Sequence, residues 1–200
     1  MNRSWLCAAL VLLIAACVSP SEETEAPEAT HTEFVLLTET MTPEEPTEDF
    51  TLTSPAFAEG DAIPDRFACT GANLSPELLW SGVPAGTQGF ALIFDDPDAS
   101  GGSWVHWIVY GIPSRAAGLP QGAPRAPTLG NGTVHGANSW GTLDYGGPCP
   151  PPGSPHRYVF TLYALDLTLE LEPGASKSEL LAAMEGHILA QAELTGTFGR

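Results

Sequence analysis

Short apolar runs, each closed by a cluster of turn-forming residues, govern what this chain can fold into. Phe90-Ala91-Leu92-Ile93-Phe94 stops at Asp95-Asp96-Pro97-Asp98, and Trp104-Val105-His106-Trp107-Ile108-Val109-Tyr110 stops at Gly111-Ile112-Pro113. Tyr158-Val159-Phe160-Thr161-Leu162-Tyr163-Ala164-Leu165 is the richest in aromatic and β-branched side chains, the types that fit a pleated, half-buried surface. Phe50-Thr51-Leu52-Thr53 has the same character and is expected to open the folded part. With 21 Gly and 19 Pro among 200 residues, turns are frequent and long helices are few. The expected class is mainly β, a sandwich or barrel of short strands.

One helix is expected near the C-terminus. Ser176 is a good N-cap, and Glu179 three residues later completes a capping box. Leu180, Leu181, Met184 and Ile188 follow at helical spacing, with Gly196 able to end the helix. The stretch from Gly111 to Gly153 reads as a long loop, of the kind that is either functional or irregular but packed.

The N-terminus reads as an address. Arg3 is a short positive region, and Trp5 to Ala16 is an apolar run of signal-peptide length, too short for a spanning helix of about 20 residues. Leu13-Ile14-Ala15-Ala16-Cys17 resembles a bacterial lipobox, which implies cleavage after residue 16 and lipidation of Cys17. The expected place is then the bacterial cell envelope, anchored by lipid and facing the periplasm or the exterior. Residues 17–49 read as an acidic, disordered tether, since their composition cannot bury enough apolar surface to offset ordering. Phe34-Val35-Leu36-Leu37 is its one apolar interruption.

Charge excludes one class of partner. The chain carries 24 acidic and 7 basic residues, a formal charge of −17. Residues 18–49 hold ten of the acids and no Lys or Arg; residues 50–200 hold fourteen acids and six bases, which leaves that part at −8. A phosphate backbone needs the opposite field, so nucleic acid is not an expected partner. Cysteine use fits export. Cys7 leaves with the signal and Cys17 is the lipid site, so Cys69 and Cys149 remain as an even pair. A disulfide and two free buried thiols both fit that pair.

Chemistry gathers at the strand ends. Asp96-Pro97-Asp98 presents carboxylates at a stiff turn after an apolar strand. His106 lies within the next strand; simple alternation puts Trp104 and His106 on one face, with Val105 and Trp107 on the other. Gly147-Pro148-Cys149-Pro150-Pro151-Pro152-Gly153 is a stiff loop, and Gly146-Gly147 leaves backbone amides unshielded, as anion sites require. His156-Arg157-Tyr158 leads into the strongest strand.

In this order, Asp96-Pro97-Asp98-Ala99, Trp104-Val105-His106-Trp107, Gly147-Pro148-Cys149-Pro150-Pro151 and His156-Arg157-Tyr158 resemble the phosphatidylethanolamine-binding protein (PEBP) family. Leu162-Tyr163-Ala164-Leu165-Asp166 and Gly186-His187-Ile188-Leu189 look like its bacterial YbhB/YbcL branch, often called Raf-kinase-inhibitor-like. The resemblance covers residues 50–200. It implies a large central antiparallel sheet packed on a smaller one, with a C-terminal helix, and a small surface pocket for phosphate or other anionic groups. It places Asp96, His106, His156 and Tyr158 in that pocket, with Gly147 and Pro148 in its lining loop. Ser100 stands where the family often has a second proline, and Phe198 where many relatives place Tyr.

A pocket with one carboxylate and two histidines suggests a division of labour. Asp96 orients one imidazole, and both His106 and His156, with pKa values raised by its charge, supply positive charge to a dianion. Affinity is then expected to fall as pH rises. Arg157 points to the opposite face of its strand. No Gly-x-Ser-x-Gly or helical His-x-x-x-His motif occurs, so a binding protein without cofactor or metal is expected rather than an enzyme. The family resemblance also implies possible roles as an inhibitor or modulator of a partner protein, and a homodimer. The alternatives are a protein-interaction module, protease or kinase inhibitor-like, that does not use the pocket, and a metal-assisted hydrolase built on Asp96, His106 and His156.

Overall fold

The computed structural model describes residues 49–200. The expected signal peptide, the expected lipidation site Cys17, the apolar patch Phe34–Leu37 and the expected tether up to residue 48 lie outside the described residues. Among the described residues, eight strands form two antiparallel sheets. The small sheet holds β1 (Thr51–Thr53), β2 (Leu78–Ser81) and β5 (Gly118–Leu119), in the order β1-β2-β5. The large one holds β3 (Gly89–Asp96), β4 (Trp104–Pro113), β6 (Val134–His135), β7 (His156–Leu165) and β8 (Ile188–Phe198), in the order β6-β4-β3-β7-β8. A single α-helix, α1 (Lys177–Met184), packs on the large sheet.

The layers follow from where the apolar residues fall. β3 is the middle strand and all eight of its residues are buried, as a strand covered on both faces requires. One face carries Phe90, Leu92 and Phe94, which meet Leu52, Leu78 and Trp80 of the small sheet in the main core. The other carries Ala91 and Ile93, which meet Leu180 and Met184 of α1. The fold is therefore a large antiparallel sheet packed on a smaller one and covered behind by the C-terminal helix, as the resemblance implies.

The helix ends earlier than its spacing suggests. Ser176 Oγ accepts from the Glu179 amide and the Glu179 carboxylate accepts from the Ser176 amide, so the capping box forms. The helix then stops at Met184; Leu181 is exposed, and Gly186 turns the chain at φ 80°. A left-handed turn of that kind is open to glycine at little cost. From Ile188 the chain is a strand, not helix, paired along β7 from Leu165↔Ile188 to His156↔Phe198. Ala192, Leu194 and Phe198 are buried while Gln191 and Glu193 are exposed. This period-two signal overrides the 3.6 spacing that Ile188 appears to continue.

A bulge corrects the expected facing of β4. Phe94 pairs with Trp107 and Asp95 with Val105, so His106 has no residue opposite. Such an extra residue bends the strand and re-aims its side chains. His106 and Trp107 consequently both reach the Phe94 side, against Phe94 and Tyr145 respectively, while Val105, like Ile108 and Tyr110, faces the helix side.

Candidate functional site

Asp96 ends β3 and is only 3% exposed. Its Oδ1 accepts from the Asp98 amide at 2.8 Å, folding the turn over Pro97 back on the carboxylate. Its Oδ2 accepts from His156 Nδ1 at 2.8 Å. The imidazole that Asp96 orients is thus His156, leaving His156 Nε2 for a ligand. Asp98 clamps the turn to β7 by taking Arg157 Nε at 3.0 Å, Nη2 at 2.7 Å and the Arg157 amide at 2.9 Å. That guanidinium holds the Asp98 carboxyl down at about 2. Arg157 is exposed and outside the cavity, as strand alternation predicts. Asp95 accepts from Lys177 and Ser103, which ties the helix start and the 98–103 loop to the same strand end.

His106 is 2% exposed, ringed by Phe94, Trp140 and Tyr158 at centroid distances of 5.3, 5.0 and 5.3 Å. Its Nδ1 donates to the Gly146 carbonyl at 2.8 Å, which makes Nε2 the acceptor. Burial pushes its pKa below the ordinary 6.5, and the opposing pull of the Gly146 carbonyl and Asp96 does not reverse this. The expectation of two positively shifted histidines fails here: desolvation of the ring outweighs attraction to the carboxylate. Tyr158 is fully buried, and its hydroxyl has no hydrogen-bond partner. Burial and the nearby Asp96 charge push its pKa well up, so it stays a phenol.

The Gly146-Gly147 amides are not free for an anion. Gly146 N–H donates to the His106 carbonyl at 3.0 Å and Gly147 N–H to Asn73 Oδ1 at 2.7 Å. A methyl on Gly147 would sit 2.1 Å from the Phe67 carbonyl oxygen, so this residue is glycine for close packing. Gly147 and Pro148 are buried behind the wall rather than in it; the wall residues are Cys149, Pro150 and Pro151. Cys149 is disulfide-bonded to Cys69, and Arg200 Nε donates to the Pro150 carbonyl at 2.6 Å. Phe198, facing His156 across the β7–β8 pair, packs into the main core.

Together these side chains enclose a cavity of about 240 Å³ lined by Asp96, His106, His156, Trp104, Trp140 and Pro151, with Ser100 at its rim. Four of the six predicted ligand residues therefore cluster, three in the wall and Tyr158 behind them. Trp140 went unpredicted, because nothing in the spacing around Asn138-Ser139-Trp140-Gly141 marks it. Among the described residues, no group of three His, Cys, Asp or Glu side chains is spaced to hold a metal ion.

The Phosphatidylethanolamine-binding protein family model matches residues 53–199. The UPF0098 protein of Methanothermobacter thermautotrophicus is 52% identical over 145 residues, 72% of this chain and 95% of that protein. A Mycobacterium tuberculosis protein named as the lipoprotein LppC is 45% identical over 158 residues, 78% of this chain and 76% of its own. The crystal structure of Escherichia coli YbcL superposes with a TM-score of 0.71 at 35% identity, covering 76% of this chain and 99% of that one. A PEBP homologue from Chlamydia trachomatis gives 0.70 at 42% identity, covering 76% and 97%.

Proposed function

The chain belongs to the phosphatidylethanolamine-binding protein family, alongside YbcL, and from that premise we propose that it is a binding protein whose pocket takes small anionic, phosphorylated groups. The observation that carries this reading is the pair of buried Asp96 and half-buried His156 facing a cavity of head-group size, about 240 Å³. Asp96 fixes the ring through Nδ1, and His156 turns Nε2 toward an anionic oxygen. His106 stays neutral and accepts a hydrogen bond rather than supplying charge. The likeness to LppC and the Leu13–Cys17 sequence support envelope anchoring through a lipid on Cys17.

The test is a heteronuclear NMR titration of the full chain with inorganic phosphate, phosphoethanolamine and glycerol as the neutral control. Saturable shifts at Asp96, His106 and His156 for the two phosphates alone, lost in His156→Ala and weakening from pH 5 to 8, are expected. Affinity flat across that range, or unaffected by His156→Ala, would refute the reading.

A further inference from the structure

Beyond the pocket lies a second cavity of about 400 Å³ that shares Trp140 and Cys149 with the first. Its remaining wall exposes more apolar than polar surface, with the polar groups of Asn73, Arg125, Thr142 and Asp144 set around the aromatic rings. Trp140 is 47% exposed, a large apolar area to leave in water. It is nevertheless held rigidly. Asn138, 5% exposed, accepts from the Trp140 and Thr142 amides, each at 3.0 Å. Its Nδ2 donates to Thr142 Oγ1 at 2.8 Å and to the Asp144 carbonyl at 3.1 Å. Ser139 pins the loop to β4 through Val105 in both directions. The ring lies over Gly146 so closely that a methyl there would come within 2.5 Å of it. An exposed tryptophan with its orientation fixed in advance is a binding platform, because little side-chain freedom is lost when a ligand covers it.

The hydrogen-bonding groups around the platform fit one class of ligand. Arg125 Nε stands 3.6 Å from Asp144 Oδ2, a loose pair in which both partners have capacity left. Asn73 gives its Oδ1 to Gly147 and retains its NH₂ donors. A carboxylate, a guanidinium and an amide beside an aromatic face suit a molecule with an apolar face and a rim of hydroxyls, each donor and acceptor at once. An acyl chain would leave these groups unpaired. A quaternary ammonium would meet a guanidinium beside the only carboxylate. A sugar ring satisfies both halves of the wall.

We propose that the second cavity is a sugar subsite, so that the preferred ligand is a glycosyl phosphate whose phosphate enters the His156 pocket while its ring lies on Trp140. This rests on the anion-binding reading of that pocket. The experiment is calorimetric titration of the full chain with inorganic phosphate, glucose 1-phosphate and N-acetylglucosamine 1-phosphate. At least one sugar phosphate should bind about tenfold or more tightly than inorganic phosphate. That ratio should collapse toward unity in Trp140→Ala. It should also collapse in Arg125→Ala, a solvent-exposed position that a folded protein tolerates. Saturable phosphate binding with no advantage for either sugar phosphate would overturn the subsite alone. An advantage that survives in Arg125→Ala and Trp140→Ala would do the same. Absence of binding by all three ligands would overturn both this inference and the anion pocket beneath it.

Discussion

The Cys69–Cys149 bridge permits a prediction in which stability and binding separate. It closes a loop with a sequence separation of 80. Chain-entropy reasoning for a loop of that length gives a stabilisation of about 4.5 kcal/mol, arising from restriction of the unfolded chain. Both cysteines are exposed, so replacing them with serine removes little packing. At 2–4 °C per kcal/mol for a domain of this size, Cys69→Ser/Cys149→Ser should melt about 9–18 °C below the wild type. The pocket wall has independent anchors: Arg200 on the Pro150 carbonyl, Asn73 on the Gly147 amide, and the Cys69 amide on the Pro148 carbonyl. Below the lowered melting point, phosphate affinity should therefore change by less than about threefold. Scanning calorimetry with and without a reducing agent, followed by titration at 15 °C, measures both quantities. A melting point within about 3 °C of wild type would refute the entropic argument. Loss of phosphate binding by the folded variant would show that the other anchors do not hold the wall.

Four further outcomes follow from the geometry. Gly147→Ala forces a methyl against the Phe67 carbonyl and Ala68 Cα and strains the Asn73 hydrogen bond; denaturant unfolding should show a loss of about 2–4 kcal/mol. Gly130→Ala, with nothing within 4 Å of the added methyl, should stay within about 0.5 kcal/mol. The folded-state pKa of His106 is depressed, so its contribution to stability is present above 6.5 and is lost as pH falls through the folded value. The denaturant midpoint should drop between pH 7.5 and pH 5 more in wild type than in His106→Gln, and an equal drop would contradict the burial argument. Arg157→Ala should lift the Asp98 carboxyl from about 2 toward 3.8 in a carbon-detected NMR titration; no movement would mean that the pair is not formed in solution.

Elements governed by local pattern were legible in the sequence, and those governed by distant partners were not. β3, β4 and β7 follow from apolar runs closed by turns, and the Ser176–Glu179 cap from its spacing. β8 was hidden because Ile188 continues the helical spacing, and only the paired edge of β7 turns that segment into a strand. The bulge at His106 needs the register with β3 to be seen. Asn73, 74 residues before Gly147 in the chain, takes the amide that looked free for an anion. The charge state of His106 depends on the aromatic rings folded around it, which its neighbours in sequence do not reveal. Motif order thus located the pocket, while long-range packing decided what its groups can do.

That division of roles bears on the protonation state of the ligand. His106 Nδ1 is committed to the Gly146 carbonyl, so a neutral ring offers only the Nε2 lone pair. Asp96, in the same cavity, is an acceptor already occupied by the Asp98 amide and His156. A fully deprotonated dianion would bring its oxygens against that lone pair with no hydrogen between them. A monoanionic phosphate can give His106 a P–O–H donor and present a charged oxygen to His156 at the same time. Sulfate has a similar shape but carries no proton at neutral pH. A site built to accept a hydrogen bond rejects an analogue that cannot donate one, so phosphate should bind about tenfold or more tightly than sulfate at pH 6, and the preference should shrink as pH rises and inorganic phosphate loses its second proton. In His106→Phe, which retains the aromatic packing but has no acceptor, phosphate should lose most of its lead. Equal affinity for sulfate and phosphate in the wild type at pH 6 would show that His106 Nε2 does not meet the ligand.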